Sequence, residues 1–382
     1  MNNSKKFIKY LDNYDKNKQY TFTDYQLLTK NINENFYLST SQNPYINNNM
    51  KINFNNMPSI DTKIVVNKVK QNIDISFNSL EDLIKVTELY SYNENKEYNI
   101  DLKSLHNIKD DLNILNSMIG LTELKQSIFE QIIYFMLQLH VDNNTDYKHT
   151  ILFGPPGTGK TVIAEIIGKI YSKIGVLKKN IFKKVTRDDL IAGYLGQTAI
   201  KTKRVINESL GGVLFIDEAY SLSNGENGDS YSKECLDVLC ESLSNYKNDL
   251  MVIIAGYESE LDNTIFRVNQ GLSSRFIWRF NMNKYNFKEL MQIFKRMVYK
   301  QGWTLNEEVG ESWFSLYYDN FSNYGRDMET LLTCVKISHS LRIYGKNNIC
   351  KKDILLIDMN NGIKKYKMNR KNKVKNISSM YI

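Results

Sequence analysis

The segment Gly154-Pro155-Pro156-Gly157-Thr158-Gly159-Lys160-Thr161 has the spacing G-x-x-x-x-G-K-T, and each residue type in it has a chemical task. Glycines let successive backbone N–H groups turn inward around phosphate oxygens, with Pro155, Pro156 and Thr158 completing the cradle. The Lys160 ammonium has the reach for β- and γ-phosphates, and the Thr161 hydroxyl is a ligand for Mg²⁺. Val162 continues into a helix whose N-terminal partial charge also favours an anion. A second constellation lies downstream, where Gly211-Gly212 opens Val213-Leu214-Phe215-Ile216-Asp217-Glu218, four apolar residues ending in two carboxylates. In this Walker B pattern Asp217 is expected to hold the Mg²⁺ shell and Glu218 to polarise an attacking water. A phosphate loop by itself can be a chance match. Two agreeing motifs point to binding and hydrolysis of a nucleoside triphosphate with Mg²⁺.

Such chemistry needs a rigid sheet behind it, and the chain supplies the pattern for one. Ile151-Leu152-Phe153 reads as the strand that delivers the loop, and Ile163, Ile166, Ile167 and Ile170 as the buried face of the helix that leaves it. Apolar runs at about 148–153, 181–186, 212–217, 250–255 and 277–282 read as five strands with helices between them. The fold class is therefore α/β, a doubly wound parallel five-stranded sheet that binds its ligand at the C-terminal ends of the strands. Upstream, Leu115 to Leu121 leads into a helix expected to end near His140. Beyond Tyr285 the pattern turns helical, with one stripe of Leu290, Ile293, Phe294, Met297 and Val298 and another of Met328, Leu331, Leu332 and Val335, as in a helical lid. Ser79-Leu80-Glu81-Asp82-Leu83-Ile84 reads as a capped helix start in a small N-terminal unit of uncertain fold and no assignable function.

At 382 residues, 42% of them hydrophobic, the chain can fill two or three domains. Its net charge of +8 sits largely at the ends. Lys364, Lys365, Lys367, Arg370, Lys371, Lys373 and Lys375 make a basic tail, and residues 1–50 are rich in Asn, Lys and Tyr. Both segments read first as solvated, weakly ordered chain, with contact to nucleic acid or an acidic partner as the second reading. No apolar run approaches a membrane span, and Met1-Asn2-Asn3-Ser4-Lys5-Lys6 lacks the apolar core of a signal peptide, so a soluble cytoplasmic protein is expected. Cys235, Cys240, Cys334 and Cys350 form no C-x-x-C pair and the histidines are scattered, which argues against zinc or a disulfide framework.

Taken together these segments resemble AAA+ ATPases, and within them the CbxX/CfqX family, which contains the red-type Rubisco activases and a sporulation stage V ATPase. The resemblance is carried by Ile119-Gly120-Leu121, the phosphate loop, Val185-Thr186-Arg187-Asp188-Asp189-Leu190, Tyr194-Leu195-Gly196-Gln197-Thr198-Ala199, Lys201-Thr202-Lys203, Gly211 to Ala219 and Ile254-Ala255-Gly256-Tyr257, over about 115–360. The Asn, Lys, Ile and Tyr bias is also similar to that of AAA+ proteins from large DNA viruses. The resemblance implies that Arg275 is an arginine finger inserted into a neighbouring subunit's site, with Arg267 and Arg279 as alternatives nearby. A finger is worth roughly 10³–10⁵ in rate. It further implies a sensor 2 role for Arg326, a pore loop at Tyr194, Leu195 and Gly196, and Tyr257 where many relatives carry a polar sensor 1 residue. The implied organisation is a segment 1–50, a small unit 51–110, an ATPase domain 111–284, a helical lid 285–363 and a basic tail 364–382. The implied activity is Mg²⁺-dependent ATP hydrolysis by a homo-oligomeric ring, taken as a hexamer, that remodels or partly threads a protein substrate. A nucleic-acid-directed motor and a nucleotide-gated scaffold without turnover are the alternatives.

Overall fold

The chain enters the fold through a small layer of two strands and two helices: β1 (Val69–Gln71), α1 (Leu80–Leu89), β2 (Lys96–Tyr98) and α2 (Leu102–Ser117). The computed structural model describes residues 68–140, 146–194, 196–223, 230–346 and 352–378, so the segment 1–50 and the first part of the unit 51–110 lie outside the described residues. Helix α1 starts at the expected cap, with the Asp82 carboxylate accepting from the Ser79 N–H at 3.0 Å. β1 and β2 pair in parallel. Asn99 extends that pairing with a side chain, accepting from the Ile73 N–H at 2.8 Å and donating to its C=O at 3.0 Å. Leu105, Ile108, Leu112 and Leu115 keep one apolar face along α2, and this face is buried in the same cluster as Ile163, Ile167 and Ile170. The expected boundary at 110/111 therefore falls inside α2, whose stripe continues across it. Asp111 pairs with Lys173 at 2.6 Å, tying α2 to the helix that follows the phosphate loop.

Next come α3 (Thr122–Met136), β3 (Thr150–Phe153), α4 (Lys160–Lys173), β4 (Phe182–Val185), α5 (Gln197–Glu208), β5 (Val213–Ile216), α6 (Ser230–Asn245), β6 (Met251–Gly256) and β7 (Trp278–Asn281). The five strands β3 to β7 form one sheet in the order β4-β5-β6-β3-β7, and every neighbouring pair is parallel. β3, β5 and β6 are buried along their whole length, which is why they read as unbroken apolar runs, while the edge strands β4 and β7 are only partly buried. From β3 the chain crosses to the far edge at β4 and returns strand by strand. The loops after β3, β5 and β6 consequently open at one end of the sheet, where a doubly wound fold takes its ligand. Helix α3 stops at Met136 rather than near His140, because Gln138 adopts a left-handed φ of 55° that no helix continues through.

The C-terminal part has its own core. It comprises α7 (Phe287–Lys300), α8 (Glu311–Tyr317), α9 (Tyr324–Ile343) and α10 (Leu356–Ser378), with β8 (Thr304–Leu305) and β9 (Asp353–Ile354) paired in parallel. Asn286 and Glu289 cap α7 reciprocally at 2.9 and 2.8 Å. Met328, Leu331, Leu332 and Val335 of α9 all enter this core. The basic segment expected to begin as a tail at 364 starts inside α10, where Tyr366 is buried and Arg370 donates to Asn320 and Ser322. Apolar Ile363 and Tyr366 hold that stretch against the lid. Among the described residues no helix is long and apolar enough to cross a membrane.

Candidate functional site

Glycine is required in the phosphate loop by space as well as by dihedral angle. Gly154 has φ of 149°, and a Cβ there would lie 2.7 Å from the Met282 carbonyl oxygen. At Gly157, with φ of 78°, a Cβ would meet the Asn323 carbonyl oxygen at 2.0 Å, and Gly159 has φ of 93°. The cradle is thus shaped by backbone alone. Lys160, the first residue of α4, folds over it and donates to the carbonyls of Gly154 and Pro155 at 2.8 and 2.9 Å. Burial pushes its pKa down, Asp217 opposes that shift, and Arg326 adds to it. A partly desolvated ammonium held only by neutral carbonyls gains most from an arriving anion. Thr158 is buried and donates to the Pro155 carbonyl at 2.9 Å, fixing the loop's turn.

The acidic wall comes from the end of β5. Asp217 accepts from Lys184 of β4 at 2.8 Å through Oδ2 and from the Glu218 N–H at 3.1 Å through Oδ1. Glu218 is exposed and takes a left-handed φ of 49°, a conformation that costs a non-glycine residue about 1–3 kcal/mol and is found where the fold holds a side chain for a purpose. Asp217 and Glu218 line the same cavity of about 700 Å³ as Gly154, Pro156, Gly157, Thr158, Gly159, Lys160, Thr161 and Val162. Thr161 and Asp217 offer oxygen donors only, the set that suits a hard cation such as Mg²⁺. Pro155 is not on the cavity wall; it contributes its carbonyl to Lys160 and Thr158 from behind. Tyr257, at the end of β6, does reach the wall, with its ring 6.3 Å from that of Tyr220, whose phenol is pushed up to about 12 by burial and then by Glu218.

The lid closes the third side. The Gly325 N–H, in the first turn of α9, donates to the Gly157 carbonyl at 3.0 Å, and the Tyr285 hydroxyl donates to the Thr158 carbonyl at 3.1 Å. Arg326 follows directly and lines the cavity. The cavity is also lined by apolar side chains, Ile114, Met118 and Ile119 before α3 and Ile293 and Met297 of α7, with Arg296 and Lys300 of α7 among them. The α7 stripe expected of a helical lid therefore serves twice: Leu290, Phe294 and Val298 are buried in the lid core, while Ile293 and Met297 pack against that core and also line the cavity. Sequence reasoning missed this apolar end, along with Tyr285 and Lys184.

Two expected site elements stand elsewhere. Arg275 is not on the cavity wall; it follows the one-turn helix Gln270–Ser273 and donates to Ser244 Oγ at 2.7 Å and to the Gly271 carbonyl at 2.6 Å. No carboxylate pairs with it among the described residues. Arg279, by contrast, lies over the Phe266 ring at 5.5 Å and donates to Ser273, so it serves packing. Tyr194 is 74% exposed between Gly193 and Gly196, around which space is open. Leu195 lies outside the described residues. Of the cysteines, buried Cys235 and Cys334 and half-buried Cys240 are free thiols, and Cys350 lies outside the described residues.

Comparison with known proteins agrees with this geometry. The family model described as ATPase family associated with various cellular activities (AAA) matches residues 150–277. The putative cfxQ-like protein R730 of Acanthamoeba polyphaga mimivirus is 39% identical over 298 residues, 77% of this chain and 73% of that protein. The protein CfxQ homolog of Galdieria sulphuraria is 33% identical, covering 69% and 93%. Stage V sporulation protein K of Bacillus subtilis is 36% identical, covering 51% and 62%. Loop, carboxylates, five-stranded parallel sheet and relatives agree: this chain belongs to the CfxQ-like, CbxX/CfqX-type family of AAA+ ATPases, with a viral protein among its relatives.

Proposed function

We propose that the chain binds ATP with Mg²⁺ in this cavity and hydrolyses it, and that copies of the chain assemble into a ring, taken as a hexamer, that spends the energy on remodelling or partly threading a protein substrate. The observation that carries the reading is the convergence of Lys160, Thr161, Asp217, Glu218 and Arg326 on one cavity at the C-terminal ends of the strands. Backbone N–H groups from Gly157 to Thr161 cradle the phosphates, with Lys160 on the β/γ oxygens. The apolar end formed by Met118, Ile119, Ile293 and Met297 is suited to a base. Mg²⁺, when bound, neutralises charge that develops on the phosphate oxygens, and Thr161 and Asp217 would hold it. Glu218 accepts a hydrogen bond from the attacking water and takes its proton as the water oxygen bonds to the γ-phosphorus and the bond to ADP breaks.

In this reading the ATPase domain runs from α2 to residue 284 and the lid from 285 into α10, and Arg326 senses the γ-phosphate from the lid side. Arg275 serves a neighbouring copy's site, supported by its position off its own cavity and by its neutral partners. Tyr194, exposed on a glycine-flanked loop, is suited to grip an extended polypeptide by apolar contact. The test is Glu218→Gln. The variant should bind ATP with wild-type affinity and hydrolyse it at least ~100-fold more slowly. Wild-type turnover in that variant would remove Glu218 from the chemistry, whereas no turnover in the unaltered chain would return it to a nucleotide-gated scaffold.

A further inference from the structure

We infer that Ser244 is a positioning residue for Arg275, forming with the Gly271 carbonyl a bracket that holds the guanidinium plane and leaves its Nη2 end unbonded among the described residues; this rests on the proposed finger role of Arg275. The geometry is specific. Ser244 lies in the last turn of α6, and its hydroxyl accepts from Arg275 Nε at 2.7 Å, across 31 residues of sequence. The Gly271 carbonyl accepts from Nη1 at 2.6 Å. A guanidinium has five N–H donors in a fixed plane, and Nε–H and Nη1 lie on different edges of it, so anchoring both fixes the plane and leaves the Nη2 pair to meet a phosphoryl oxygen.

The mount behind the bracket is rigid and uncharged. His149, fully buried, accepts from the Val252 N–H at 3.1 Å through Nδ1, which places its proton on Nε2, 3.2 Å from the Leu243 carbonyl. The same ring packs 5.8 Å from Phe276, the residue after Arg275. One side chain thus ties the sheet to the end of α6 on one side of the bracket and to the arginine's own segment on the other. Gly271 is part of the fit: a Cβ there would lie 3.2 Å from Arg275 Nη1 and 3.2 Å from Cys240 Sγ. Both acceptors are neutral, so the guanidinium is oriented while its charge stays uncompensated. An ion pair would orient it as well, but would spend the charge that a phosphoryl group is to meet.

A free arginine must lose its rotamer freedom when it inserts, whereas a bracketed one has lost it on folding, and misplacement of about 1 Å in such a group can cost about 100-fold in rate. Ser244→Ala should therefore lower kcat about 10- to 100-fold, leaving the KM for ATP, the affinity for a fluorescent ATP analogue and the melting temperature at wild-type values. Ser244→Thr keeps the hydroxyl and should restore turnover. Gly271→Ala, which crowds Nη1 without touching Ser244, should lower kcat in the same way. If Arg275→Ala abolishes turnover while Ser244→Ala turns over like wild type, the bracket is only packing and the inference falls with the finger reading intact. Loss of kcat together with ATP affinity or melting temperature, unrelieved in Ser244→Thr, would make Ser244 structural and also overturn it. Wild-type turnover in Arg275→Ala would overturn the finger reading and the inference with it.

Discussion

At the scale of single residues, Asp217 has one carboxylate and two claims on it. Its Oδ2 pairs with Lys184 at 2.8 Å, at the site where a Mg²⁺ shell would have to be held. The pair is partly exposed, 46% at Lys184 and 20% at Asp217, so solvent screening limits it to about 0.2–1 kcal/mol. That is small against a divalent cation, so the ion pair competes with the metal and weakens its binding without preventing it. Lys184→Met should accordingly lower the Mg²⁺ concentration that half-saturates binding of a fluorescent ATP analogue by about 2- to 5-fold. A higher Mg²⁺ requirement in that variant would mean that Lys184 helps to hold the site together. Glu218 combines a left-handed backbone with a carboxylate on the cavity wall.

Among elements, the contact that matters most to the site is backbone against backbone. The first turn of α9 sits so close to the phosphate loop that Gly325 bonds to Gly157 at 3.0 Å and no side-chain carbon fits at 157. Gly157→Ala should separate lid from loop and weaken ATP binding more than 10-fold, measured by analogue titration, since both φ of 78° and a 2.0 Å approach oppose it. Unaltered affinity would show that the lid is not held by this contact. The strands, the loop and the acids were legible in the sequence because each is a local pattern: unbroken apolar runs for strands buried on both faces, and fixed spacing for the loop. What the sequence did not disclose depends on neighbours. That Ile293 lines the cavity as well as the lid core, and that α2 joins the sheet's core across a presumed boundary, is decided by which surfaces lie opposite. Arg275 was legible only by resemblance; its neutral bracket, drawn from Ser244 and Gly271, has no spacing that a single sequence could reveal.

For the molecule as a whole, one buried group gives a pH signature independent of nucleotide. His149 is fully enclosed, and burial pushes its pKa down to about 4, with the Leu243 carbonyl opposing and Lys148 and Arg275 adding to the shift. The unfolded chain takes up this proton near 6.5, so the stability linked to neutral His149 is fully present above about pH 6.5 and is lost as pH falls toward 4. The loss should total about 3 kcal/mol, and denaturant midpoints of His149→Asn should fall less steeply than wild type across that window. Equal slopes would mean that the buried ring is not the group that titrates. The same enclosed ring packs 5.8 Å from Phe276, the residue after the arginine proposed to act between copies.

The central claim is that the site is shared between copies of the chain, and it is tested by ATP hydrolysis per subunit in Mg²⁺ as protein concentration rises, with Arg275→Ala chains mixed in at increasing fractions. The account predicts specific activity that climbs with concentration and falls as the mutant fraction rises, more steeply than dilution alone would give. Specific activity that is independent of concentration and declines only in proportion to dilution would contradict it, and each chain would then work alone.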